Sequence, residues 1–191
     1  MMRIELEQSA YEEINKKLKE IGKTSRSVLK KAVNEAAKKA EKEIPNEIKE
    51  NYTTKRSALK GAIKIKKATV KSLSATITVK SNAVSAKKGY ETKKNTKKIA
   101  ARLKVLQENS LKKLELEGRK AFFATMKNGH TGIFQRIPGS AVEGKEKIKE
   151  FYGPSIPSLV GGRKIYEKLE KKTKNNLREQ VEKFMSEALK E

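Results

Sequence analysis

Apolar residues recur every three to four positions towards both ends of this chain and every second position in its middle. Near the start, Ile14, Leu18 and Ile21 fall at i, i+4 and i+7, with Ser9 and Glu12 at capping-box spacing ahead of them and Gly22 stopping the run. A second helix is clearer. Ser25 or Ser27 can cap it, Val28, Leu29, Ala32, Val33, Ala36, Ala37, Ala40 and Ile44 make one apolar stripe, and Pro45 should kink or end it. Its other face carries Lys30, Lys31, Asn34, Glu35, Lys38, Glu41 and Lys42, a mixed-charge surface for water. A last helix is expected from about Gly162 onwards, with Ile165, Leu169, Asn176, Val181, Phe184, Met185 and Leu189 roughly on one face.

The period changes to two after Gly61. Ile63 and Ile65, then Ala68 and Val70, then Leu73, Ala75, Ile77 and Val79 alternate with Lys, Ser and Thr, which predicts two half-buried strands in a hairpin with a slip at Lys66-Lys67. From Ser81 to Lys98 there is almost no apolar residue beyond Ala83, Val84 and Tyr90, and Lys87, Lys88, Lys93, Lys94, Lys97 and Lys98 crowd around Gly89. That composition predicts an extended basic loop. Ile99, Ala101, Leu103 and Val105 suggest a third strand, while Gln107 to Glu117 fits a strand or a short helix. A further hairpin follows, with flanks Ala121 to Lys127 and Ile133 to Arg136 around Asn128-Gly129-His130-Thr131-Gly132, a turn expected to need positive φ at its glycines. Gly153-Pro154-Ser155-Ile156-Pro157 reads as extended or turned, a rigid chain reversal. The fold class expected is α+β, one domain over 1–191: helical over 1–50, sheet over 60–136 with the basic loop at 81–98, an arm over 148–160 and a helix over 162–191.

The side-chain inventory narrows the chemistry. There is no Cys, every acidic residue is Glu, and His130 is the only histidine. Disulfides and thiol nucleophiles are therefore excluded, and Ser-His-Asp triads and two-histidine zinc sites lack their parts. Neither an enzyme, a metal nor a cofactor is expected, and no run of apolar residues is long enough to span a membrane. His130 reads as a turn histidine that tolerates unusual backbone geometry or bonds a neighbouring carbonyl, and Ser155 lacks the nucleophile-elbow pattern.

Charge adds a second theme. The formal net charge is +23, and between Lys55 and Lys113 18 Lys or Arg face only Glu91 and Glu108. Two readings stand side by side: a lysine-rich solvated surface, and a face for a polyanion such as nucleic acid.

The segments AFFATMKNGHTGIFQR (121–136) and IKEFYGPSIPSLV (148–160) are the most individual of the chain. Together they resemble the signature of the phage minor tail protein Z family, the tail completion proteins. Phe123, Met126, Gly129, His130, Gly132, Phe134 and Arg136 match its first part, and Tyr152, Gly153, Pro154 and Ser155 its second. The link IPGSAVEGKEKIKE between them departs from the short Arg-Leu-Pro-Ile-like link of the family. The resemblance implies a structural virion protein of a tailed phage or prophage, made in the bacterial host cytoplasm. It would act at the head-proximal end of the tail in tail completion and head-tail joining, with other tail and neck proteins as partners. It would assemble as a homo-oligomeric ring, sixfold by analogy, around the DNA channel. Lys87, Lys88, Lys93, Lys94, Lys97 and Lys98 are then the candidate DNA-facing residues, in non-specific contact. The alternative is a basic, non-specific nucleic-acid-binding protein of the cell.

Overall fold

A computed structural model describes residues 2–5, 12–14, 16, 19, 25–96, 99–142 and 144–190. The α+β class holds, but the single expected sheet is replaced by several small ones, all antiparallel. The chain divides into two compact units. One comprises Met1–Glu47, Ile63–Lys80 and Val160–Glu191; the other comprises Ile48–Ala62 and Ser81–Leu159. Of the first expected helix, 12–14, 16 and 19 are helical; its Ser9, Leu18, Ile21 and Gly22 lie outside the described residues.

The first unit rests on two long helices, α1 (Ser25–Asn51, its last residues belonging to the second unit) and α5 (Arg163–Lys190). On α1 the stripe Leu29, Ala32, Val33, Ala36, Ala37, Ala40 and Ile44 is buried as its spacing requires. Pro45 does not end the helix, which runs six residues further. A proline in a helix interior costs roughly 3 kcal/mol, whereas Ile44 and Ile48, both buried beside it, contribute about 1.5–3 kcal/mol each. Burial wins. On α5 the inward positions are Ile165, Leu169, Thr173, Leu177, Gln180, Val181 and Ala188, a stripe containing more polar residues than expected. The helices run antiparallel, since Glu47 meets Lys168 and Lys172, Glu43 meets Asn176, and Lys39 meets Glu179.

A three-stranded sheet completes this unit, with β1 (Met2–Glu5) and β2 (Ile63–Lys66) flanking β3 (Ser74–Val79). The hairpin expected after Gly61 is present, with Ile65 opposite Ile77. Ala68 and Val70 lie in its connection, not in a strand. Asn34, expected on the solvent face of α1, accepts from the Ala68 amide (2.8 Å) and donates to the Ala68 carbonyl (3.2 Å), fixing that connection.

In the second unit the basic loop is corrected. Residues 81–96 form β4 (Ala83–Ser85), a one-turn helix α3 (Ala86–Gly89) and β5 (Glu91–Lys93), after the short helix α2 (Arg56–Leu59). Small residues hid the core contribution here. Ala86 and Tyr90 are fully buried, and a Cβ on Gly89 would meet Val84 Cγ1 at 2.2 Å. The short helix considered over 107–117 is also absent. That stretch holds β7 (Lys112–Lys113), which pairs with β6 (Arg102–Lys104), and β8 (Glu115–Leu116), which pairs with β9 (Arg119–Lys120).

The signature hairpin is β10 (Phe122–Thr125) with β11 (Thr131–Val142), and β12 (Lys145–Glu150) continues the sheet. The β11–β12 register shifts between Arg136 and Ala141, around Pro138, which has no amide to donate. Of the two forms expected for 153–157, extended or turned, residues 153–155 take the extended one in β13 (Tyr152–Ser155), paired with β4, and Ile156 and Pro157 begin the helix α4 (Ile156–Val160). Ala86, Ala101, Ala121 and Ile133 make the core of the unit, with Leu103, Leu114, Phe123 and Phe151 packed on them. Three backbone hydrogen bonds run in a ring among Ala101, Ala121 and Leu114, tying three segments at its centre.

Candidate functional site: a carboxylate at the centre of the signature

The β11–β12 register sets Glu150 opposite Phe134, so its side chain shares a sheet face with that ring and with Gly132 two residues earlier. Three donors converge on its carboxylate. Ser85 Oγ donates to Oε1 at 2.7 Å, the Tyr152 hydroxyl donates to Oε2 at 2.9 Å, and His130 Nε2 lies 2.8 Å from Oε2. These groups come from β4, β13 and the β10–β11 turn, so one side chain joins three segments. Burial alone would raise the Glu150 pKa; the hydrogen bonds from Ser85, His130 and Tyr152, together with the charge of His130, bring it below the ordinary carboxylate value. The same bond raises the pKa of the exposed Tyr152 hydroxyl.

Several signature residues have a physical reason. Gly129 adopts φ +80° in the tight turn, in which its amide donates to the Met126 carbonyl and the Met126 amide to the His130 carbonyl. The Asn128 side chain accepts from the His130 amide at 3.0 Å. Gly132, expected to need positive φ, instead sits in the strand and needs space: a Cβ there would lie 2.6 Å from Glu150 Oε1. His130 is bonded to a carboxylate rather than to the expected carbonyl, and it stands edge-on to Phe134 with centroids 6.2 Å apart. Arg136 places its guanidinium 6.0 Å from the Phe122 ring centroid, and Phe123 packs on the core.

The second half of the signature forms another lock. Tyr90, fully buried, donates its hydroxyl to the Pro154 carbonyl at 2.6 Å, and a Cβ on Gly153 would stand 2.3 Å from the Tyr90 ring. Burial first, and then the charge of Tyr52, pushes the Tyr90 hydroxyl up to about 12. Ser155 caps α4, its Oγ accepting from the Ser158 amide at 3.3 Å, and Pro157 occupies the first helical turn, where a missing amide costs nothing.

Sequence reasoning missed Glu150, Ser85 and Tyr90. Glu150 adjoins the second motif and Tyr90 is the only aromatic residue in 81–98, but nothing local links either to its partner. Of the lysines singled out, Lys87 is half-buried with its carbonyl accepting from Lys55 Nζ, Lys88, Lys93 and Lys94 are exposed, and Lys97 and Lys98 lie outside the described residues. The four described ones occupy α3, β5 and the residue after it, not one loop.

The chemistry of this arrangement is positional. In a nucleophilic triad histidine stands between hydroxyl and acid; here the acid stands between Ser85 and His130, so the imidazole has no path to the serine proton. Among the described residues no group of three or more potential metal-ligating side chains comes together, and no helix is long and apolar enough to cross a membrane. The carboxylate of Glu150 fastens two strands and a turn, and the Tyr90 hydroxyl fastens the Pro154 segment. The family model for the prophage minor tail protein Z (GPZ) matches residues 10–191, and the chain belongs to that family. No curated protein and no solved structure gives a significant match. Membership makes the chain a structural phage tail protein, a virion component that works with other tail proteins.

Proposed function

We propose that this protein completes the tail at its head-proximal end and takes part in joining the tail to the filled head, as a sixfold ring around the DNA channel. The observation that carries this reading is the family match over nearly the whole chain. The locked signature supports it, because a ring subunit must present fixed strands and arms to its neighbours. The net charge of +23 supports the channel: a ring lumen lined from the lysine-rich middle of the chain grips phosphates without reading bases.

A lysogen deleted for this gene should release tails and filled heads that do not yield infectious particles, with infectivity restored by the gene in trans. Negative-stain images of wild-type tails should show a terminal ring that the deletion removes. Normal yields of infectious particles from the deletion would sink the proposal. The charge also favours a second reading, a free nucleic-acid-binding protein, which predicts tight DNA binding by the purified chain and unaltered tails in the deletion.

A further inference from the structure

The sheet β5-β6-β7 has two unlike faces. Leu103, on the inner face, packs on the core of its unit. On the other face the register sets Lys93 opposite Arg102 and Arg102 opposite Lys113, so three cations stand in a row across three strands. Glu91 and Lys104 form the neighbouring pair on that face, leaving four cations against one carboxylate. Lys93 and Lys113 are exposed, and Arg102 and Lys104 are partly so.

Generic lysine solvation does not explain this row. On the helices of the other unit, cations have carboxylates three or four residues away: Lys38 with Glu35, Arg163 with Glu167, Lys174 with Glu170, Lys183 with Glu187. Among the described residues, none of the four sheet cations has a carboxylate within ion-pair distance. Like charges placed directly opposite one another destabilise a sheet, so the row opposes the fold that holds it unless an outside anion joins it.

We propose that this face binds the phosphate backbone of DNA, with Lys93, Arg102 and Lys113 each meeting a phosphate. The row runs across strands whose backbones are about 4.8 Å apart, wider than the axial charge spacing of about 3.4 Å along one DNA strand. The long side chains of Lys93, Arg102 and Lys113 take up the difference. An acidic protein surface fits less well, because every residue named on this face is charged and a protein interface needs an apolar centre. The row relies on the tail reading only for why DNA is nearby.

The test uses the purified full chain and a 20-base-pair duplex of arbitrary sequence, with affinity read by fluorescence anisotropy across a salt series. The variant Lys93→Gln/Arg102→Gln/Lys113→Gln should bind about 10²-fold more weakly at 0.1 M salt. Its log K against log salt slope should fall by about 2.7, at about 0.9 for each phosphate no longer neutralised. A control with equal charge removed from exposed positions elsewhere, Lys31→Gln/Lys42→Gln/Lys71→Gln, should stay within about threefold of wild type. Arg102→Gln alone, a milder change should the triple variant unfold, should lower the slope by about 0.9. Equal losses in row and control variants would assign binding to bulk charge and overturn the site, as would an unchanged row variant or polyglutamate binding as tightly as DNA. The readout needs no tails: intact DNA binding with normal deletion-mutant particles overturns the tail reading alone, and the converse overturns only this site.

Discussion

Glu47 and Glu150 are carboxylates withdrawn from water in different units, and they are stabilised by opposite means. Glu47, 1% exposed, sits on α1 between Lys168 and Lys172 of α5, so full charges answer its charge. Glu150, with its side chain 10% exposed, is answered mainly by hydrogen bonds from Ser85, Tyr152 and His130, two of them neutral hydroxyls. Burial opposes ionisation at both, and at both the partners bring the pKa below its ordinary value. The lysine pair sets how two helices align and tolerates long, flexible partners. The hydroxyls set strand positions to a fraction of an ångström, because each bond is short and directional. Charge aligns one unit; geometry locks the other.

The largest expected effect comes from stripping Glu47. Breaking a buried pair from one side costs about 3–5 kcal/mol, which we reduce to about 2–4 because Lys168 and Lys172 are 45% and 44% exposed and screened by water. Lys168→Met/Lys172→Met should lower stability by that amount in urea titration, and adding Glu47→Leu should recover most of it. A triple variant as unstable as the double one would show that the charge is not what matters.

Next is Gly132→Ala, expected to cost about 1–3 kcal/mol, the usual range for overpacking. The methyl must displace Glu150 Oε1 from its 2.6 Å approach, and with it the Ser85 bond. Urea titration reads the loss, and NMR shifts at Ser85 and His130 should move while those of α5 do not. A neutral result would mean that the strand yields without disturbing the carboxylate.

Smallest is Glu150→Gln, at about 1 kcal/mol at neutral pH for hydrogen bonds weakened but not abolished. Its signature is pH dependence. Since the folded pKa is depressed, the contribution of Glu150 is complete above the ordinary carboxylate value of 4.5 and is lost as pH falls through the lower folded value. The glutamine variant should therefore be less stable than wild type at pH 7 and approach it in acid. A difference constant from pH 7 to pH 3 would refute the role of the ionised form.

Where the sequence was legible, period and turn chemistry were strong. The stripes of α1 and α5 announce themselves over many turns, and Asn128-Gly129 marks the signature hairpin. Tail protein Z membership was readable from that hairpin and the Gly-Pro-Ser segment, where Gly129 needs its positive φ and Gly132 and Gly153 have no room for a side chain. The basic segment misleads because β4, α3 and β5 are three or four residues each, too short for a period, and bury alanine and glycine rather than large aliphatics. Pro45 does not end α1 because isoleucines are buried on either side of it, which local propensity cannot see. The carboxylate site was invisible because Ser85 and Glu150 are 65 residues apart, and only strand register brings them together.

The interleaving of the two units has a consequence for how the chain comes off the ribosome. All of the second unit is synthesised before Val160–Glu191, the segment that supplies α5 to the first. Until then α1 has the 63–80 segment, which its Asn34 holds, but lacks α5, and Glu47 has neither lysine. The contacts between α1 and α5 thus close over a long stretch of chain, and long-range closure of this kind slows folding.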